Sequence, residues 1–142
     1  FTSPYLITPT SDRMGYRLAG QALTHTDGAD IISDGAVFGS IQVPSDGQPI
    51  ILMADRQTTG GYTKIGTVIT PDLPRLAQMP VETTIRFTEV TVGEAQALYR
   101  EYKEREATWV QTEEKAVSLL YSSVLPWGET EKRLSIRNDS YV

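Results

Sequence analysis

Nine consecutive residues, ADRQTTGGY (Ala54–Tyr62), hold most of the polar chemistry available without a thiol or an imidazole. Arg56 is a planar donor fork suited to a carboxylate or a phosphate. Gln57 offers a donor and an acceptor on one group. Thr58 and Thr59 add hydroxyls. Gly60 and Gly61 let backbone amides approach a ligand, and bare amides cradle anions. Asp55 is placed to orient Arg56 or to act as a base, and Tyr62 closes the run with a phenol. Two readings are open: a glycine-hinged hairpin with solvated polar residues, or a binding site. A turn needs only Gly-Gly and not the Asp-Arg-Gln-Thr-Thr before it, so we expect a site. The stretch is not a Walker loop, because no GK[ST] signature is present.

Two further stretches carry candidates. In TSDRMGYR (Thr10–Arg17), Ser11 and Asp12 cap a turn and Arg13 either pairs locally or makes a second anion contact. In SDGAVFGSIQVP (Ser33–Pro44), Asp34-Gly35 and Gly39 read as turns. Ser40 and Gln42 are two apart, hence on one strand face. Gln42 facing into a small barrel contacts a ligand; facing out, it is solvated. Lys64 reads as a lysine snorkelling from a strand end. The one histidine, His25, lies in a polar, turn-rich stretch and is expected as an exposed loop residue. Any Ser-His-Asp triad has only His25 to use. With no cysteine, thiolate catalysis, disulfides and cysteine-ligated metals are excluded, and no metal site is expected.

The elements that must position these residues are mostly short strands. Tyr5–Ile7 and Gly15–Leu18 flank a polar turn. Ile31-Ile32 and Ala36–Phe38 are short β candidates on either side of Ser33-Asp34-Gly35. Ser40–Val43, the tight turn Pro44–Pro49 and the buried strand Pro49–Met53 read as a hairpin, with Asp46-Gly47 supplying the turn. Lys64–Ile69 is a β-branched strand. Thr70-Pro71 starts a short helix ending near Gln78, and Thr84–Val90 alternates as a strand. Thr91-Val92-Gly93-Glu94 is a capping box that opens a helix from Val92 to about Ala107. Ala95, Leu98, Tyr99 and Tyr102 form its apolar face, and Arg100/Glu104 and Glu101/Arg105 are spaced as i,i+4 pairs. Lys115–Tyr121 is a last short helix or strand. Trp109 and Trp127 read as packing residues. Short strands, glycine turns and late helices favour a mainly β barrel or sandwich with peripheral helices over a Rossmann sheet.

The chain of 142 residues is about one domain's worth, with 39% hydrophobic and 22% charged residues. A net charge of −5 argues against nucleic acid and against an anionic membrane surface. No apolar run approaches the roughly 20 residues of a membrane span. The absence of cysteine fits a reducing cytosol, and a cytoplasmic protein is expected. The chain starts with Phe1 and has no basic n-region, so a fragment or processed chain without signal peptide is expected.

SDRMGYRL (Ser11–Leu18) and IISDGAVFGSIQVPSDGQPIILMADRQTTGGYTKIGTVITPDLPRLAQ (Ile31–Gln78) closely resemble the allophanate hydrolase subunit 2 family. That family includes the KipI antagonist, the C subunit of bacterial 5-oxoprolinase, and part of the carboxyltransferase region of urea carboxylase and urea amidolyase. The likeness runs from about Tyr5 to about Arg105. It implies a cyclophilin-like β-barrel over 1–107, the C-terminal half of the family's full-length protein, with 108–142 an unassigned extension. The resemblance implies the role of a 5-oxoprolinase C subunit in ATP-dependent opening of 5-oxoproline to glutamate. A KipI-like B subunit and the absent N-terminal half would be its partners. Two alternatives go with it: biotin-dependent carboxyl transfer to urea, and a non-catalytic module antagonising a KipI-like kinase inhibitor. Both enzymatic readings act on a small amide-like substrate, which wants donors on its carbonyl and a carboxylate on its N–H. Arg56 and Gln57 supply donors, Gly60 and Gly61 hold an oxyanion or phosphate, Asp55 or Asp34 accepts a proton, and Tyr62 closes the pocket, with help from Arg13, Gln42, Thr58 and Thr59. No cofactor motif is present. ATP would serve the assembled complex, and biotin would have to come on another domain or chain. Half of a two-part protein exposes a face that could drive homo-oligomerisation.

Overall fold

The computed structural model describes residues 3–26 and 28–124, with side chains as far as residue 109. The chain divides at Lys103/Glu104, and the sheet and the candidate residues belong to the first unit. Its strands are β1 (Tyr5–Ile7), β2 (Gly15–Gly20), β3 (Asp30–Gly35), β4 (Ser40–Val43), β5 (Ile50–Leu52), β6 (Thr59–Thr67) and β7 (Thr84–Ile85). Their order is β3-β6-β4-β5-β2-β1-β7, and every pairing is antiparallel. The mainly β architecture with helices is therefore as expected. The barrel is not closed among the described residues, since β3 and β7 are the two ends of the order.

Alternation explains why these segments become strands. In β1, Tyr5 and Ile7 point inward while Leu6 points out. They join Leu18, Ile41, Ile51, Met53 and Leu76 in one core, with Phe38, Val68 and Phe87 packed against it. Each fully buried side chain of this kind is worth about 1.5–3 kcal/mol. Two tyrosines keep their hydroxyls satisfied at its margin. Tyr5 donates to the Gln21 carbonyl at 2.9 Å, and Tyr16 donates to the Ala77 carbonyl at 3.1 Å. The β4–β5 turn forms as its residues demand. Gly47 takes φ +73° and donates to the Pro44 carbonyl, while Asp46 Oδ1 accepts from the Gln48 amide.

Several boundaries differ from the sequence reading, each for a tertiary reason. Ser33-Asp34-Gly35 is not a turn between two short strands. It completes β3, because β6 pairs with Asp34 and Gly35 and a bulge between Asp30 and Asp34 absorbs the irregularity. Correspondingly β6 starts at Thr59 rather than Lys64, which puts Gly60 and Gly61 inside a strand. The expected strand Thr84–Val90 shrinks to two residues, because β1 offers it only Tyr5 and Leu6. Thr70 does not cap the following helix. Residues Thr70–Asp72 form a 3-10 turn, and α1 (Leu73–Ala77) follows, ending at Gln78 as expected. The capping box does form: Glu94 Oε2 accepts from the Thr91 amide and hydroxyl at 2.7 Å, and Thr91 Oγ1 accepts from the Glu94 amide at 3.3 Å. It opens α2 (Val92–Val124), which runs well past Ala107 and takes in Lys115–Tyr121. The ion pairs formed among the described residues do not include Arg100/Glu104 or Glu101/Arg105. Trp109, expected to pack, is 72% exposed, and Trp127 lies outside the described residues.

Candidate functional site

The turn of ADRQTTGGY is its first part only, Ala54-Asp55. It lies against the Thr10–Arg13 turn: the Asp55 amide donates to the Arg13 carbonyl at 2.9 Å, and the Met53 amide donates to the Met14 carbonyl at 2.9 Å. The side chains follow the backbones. Arg13 Nη2 lies 3.1 Å from Asp55 Oδ2, an ion pair open to solvent on both sides. Asp12 Oδ1 caps the Met14 and Gly15 amides, and Ser11 Oγ accepts from the Arg17 amide. Arg13 thus pairs neither within its own turn nor with an anion from outside the chain, but with Asp55, 42 residues away, and Asp55 turns to Arg13 rather than to Arg56.

Arg56 is left without an acid. Its Nε donates to the Ala36 carbonyl at 3.4 Å, and its guanidinium stands 5.8 Å from the centre of the Phe38 ring. No carboxylate among the described residues pairs with it. The side chain is half-buried, and a guanidinium is a planar fork suited to a carboxylate or phosphate. Gln57, Thr58 and Thr59 beside it are exposed, and Tyr62 is 41% exposed.

Across the ribbon, Asp34 and Lys64 form a clasp. Lys64 Nζ lies 2.5 Å from Asp34 Oδ2 and also donates to the Gly35 carbonyl. The Lys64 hydrogen bond, the Gly35 amide and the lysine's charge, in that order, hold the Asp34 carboxyl below its ordinary value. A carboxylate stabilised in this way is a weak proton acceptor. Gln42 sits on β4, opposite Ile50 and Lys64, and is only 6% exposed. It is buried, so the solvated alternative does not hold. Gly60 lies directly against its amide, where a Cβ would overlap Gln42 Nε2. His25 is half-buried rather than exposed, and its Nε2 donates to the Pro44 carbonyl at 3.0 Å, a loop-fastening role. Among the described residues no cluster of His, Asp and Glu could hold a metal. An open apolar cleft of about 390 Å³, lined by Val68, Ile69, Pro71, Val92, Ala95 and Tyr99 among others, includes none of the candidate residues.

The structure therefore brings together Arg13 with Asp55, Asp34 with Lys64, and Gln42 with Gly60. No local pattern announced Lys64 as the partner of Asp34, 30 residues away, nor Phe38 beneath Arg56. A two-residue strand spacing was the only sign that Gln42 would turn inward.

Residues 1–89 match the family described as carboxyltransferase domain, subdomain A and B. The chain belongs to that family. Two curated relatives are the C subunits of 5-oxoprolinase from Haemophilus influenzae, 51% identical over 96 residues, and from Escherichia coli, 46% identical over 93 residues. These alignments cover 68% and 66% of this chain but only 31% and 30% of the relatives, so the chain spans less than a third of their length. Among solved structures, that of TTHA0988 is 34% identical with a TM-score of 0.55, covering 61% of this chain and 17% of that one. The urea amidolyase of K. lactis has a TM-score of 0.66 at 23% identity, covering 71% of this chain and 7% of that one, a likeness of fold alone. No helix among the described residues is long and apolar enough to cross a membrane.

Proposed function

We propose that the chain is a segment of a 5-oxoprolinase C subunit and helps bind 5-oxoproline for ATP-dependent ring opening to glutamate. The work is done in complex with a KipI-like B subunit and the remainder of the family's full-length protein, in the cytoplasm. The observation that carries this reading is Arg56. A half-buried guanidinium with no acid beside it asks for an anion, and 5-oxoproline brings a carboxylate on a small planar lactam. Identity near 50% to the C subunits of 5-oxoprolinase supports the same substrate.

In this reading Arg56 holds the carboxylate and fixes the orientation of the ring. Asp34 is clasped by Lys64 and held below its ordinary value, which makes it a poor proton acceptor and leaves Asp55 as the candidate base. Gln57, Thr58, Thr59 and Tyr62 line the approach. Neither ATP nor biotin is assigned to these residues. Gly60 and Gly61 are in a β ladder, not in a phosphate-binding loop ahead of a helix. ATP is used elsewhere in the assembly, and biotin, in the carboxyltransferase alternative, arrives on another domain.

The test is substrate choice by the assembled complex. ATP-dependent glutamate formation from 5-oxoproline is the expected result. Carboxybiotin-dependent consumption of urea, with 5-oxoproline untouched, would move the assignment to carboxyl transfer.

A further inference from the structure

Among the described residues two polar side chains are buried, Ser40 and Gln42, both on the same face of β4. Ser40 is satisfied, its Oγ accepting from the Val37 amide at 3.1 Å. Gln42 is not: its Nε2 is fully buried and has no hydrogen-bond partner. Burying an amide donor without an acceptor is costly, and an apolar residue of the same volume would avoid the cost. An unsatisfied donor kept at such a place needs an acceptor that the described residues do not supply.

The surroundings say what kind of acceptor. Arg56, already assigned to an anion, is a cation anchored at the Ala36 carbonyl, and the Ala36 amide in turn donates to the Thr58 carbonyl. Gln42 lies against Gly60, which pairs with Asp34. The backbone positions beside the two donors, Ala36 with Thr58 and Asp34 with Gly60, are two residues apart in the chain. A neutral amide donor suits a neutral carbonyl oxygen, as a guanidinium suits a carboxylate. A five-membered lactam bearing a carboxylate presents both groups at once. The lid over Gln42 is the one residue type with no side chain, and it belongs to a ribbon whose outer strand, β3, is exposed along its whole length. The Lys64–Asp34 pair ties the two strands of that ribbon together.

We propose that Gln42 Nε2 recognises the lactam carbonyl oxygen of the substrate, and that position 60 is glycine because a side chain there would overlap that amide. This deepens the 5-oxoproline reading and rests on it. The test is a titration of the full chain, labelled with nitrogen-15, with 2-pyrrolidinone, a lactam lacking the carboxylate, and separately with 5-oxoproline. The Gln42 side-chain amide signals are assigned by their loss in Gln42→Met, which keeps the volume and removes the donor. The expected result is a saturable shift of those signals with 2-pyrrolidinone that survives Arg56→Ala. In the assembled complex, Gln42→Met then raises KM for 5-oxoproline about tenfold with kcat largely kept. If 5-oxoproline perturbs Arg56 while 2-pyrrolidinone leaves the Gln42 amide in place, the carbonyl assignment is overturned and the substrate reading stands. If neither ligand shifts any signal, both fall. A Gln42→Met protein with raised thermal stability and unchanged KM also overturns the proposal, since that is the signature of a merely structural glutamine.

Discussion

At the scale of single residues, four charged side chains of the candidate site form two pairs, and Arg56 takes no acid. Arg13 takes Asp55, Lys64 takes Asp34, and Arg56 is left over an aromatic ring. The Asp34–Lys64 clasp has a testable pH dependence. The folded carboxyl lies below its ordinary value of 3.8, so the contribution to stability is complete above that value. It is lost as pH falls through the lowered folded value. Lys64→Met removes the largest cause and leaves the Gly35 amide, so acidification from about pH 6 to about pH 3 should cost the variant less stability than it costs the wild type. Urea midpoints at the two pH values measure this, and equal acid losses would mean that the clasp does not form in solution. Arg56, Gln42 and Gly60 were all legible in the sequence as residues able to do chemistry. Their partners were not, and neither was the clasp, which spans 30 residues and depends on a β3/β6 pairing that no local pattern announces.

At the scale of elements, legibility followed how local the cause was. The Asp-Gly turn at 46–47 and the capping box at 91–94 are set by neighbours within a few residues, and both formed as read. Thr91→Ala should therefore destabilise the first turn of α2 by about 1 kcal/mol. The readout is faster amide exchange at Val92–Ala95 while exchange in β1 and β5 is unchanged. Gly47→Ala forces a side chain into a left-handed φ and onto the Leu23 backbone. It should cost about 1–2 kcal/mol, read by chemical denaturation. Gly60-Gly61 misled because glycine pairs ordinarily mark turns. Neither residue has a positive φ here, and at Gly60 it is the close approach of Gln42 that excludes a side chain. The strand read over Thr84–Val90 failed for the complementary reason: alternation was present, but β1 was too short to pair with it.

At the scale of the whole molecule, the mainly β class was legible because short alternating runs and glycine turns recur along the first hundred residues. Closure was not, since it depends on whether the edge strands β3 and β7 find each other or another partner. Membership of the carboxyltransferase-domain family agrees with the dense likeness between Ser11 and Gln78. The proposed grip of Arg56 on the carboxylate of 5-oxoproline is tested most directly by steady-state kinetics of ATP-dependent 5-oxoproline cleavage, comparing wild-type and Arg56→Ala complexes with the same partner proteins. Loss of a charged contact to a carboxylate should lower kcat/KM by about a hundredfold while partner binding and folding are retained. Wild-type kinetics in a folded Arg56→Ala complex would contradict the assignment.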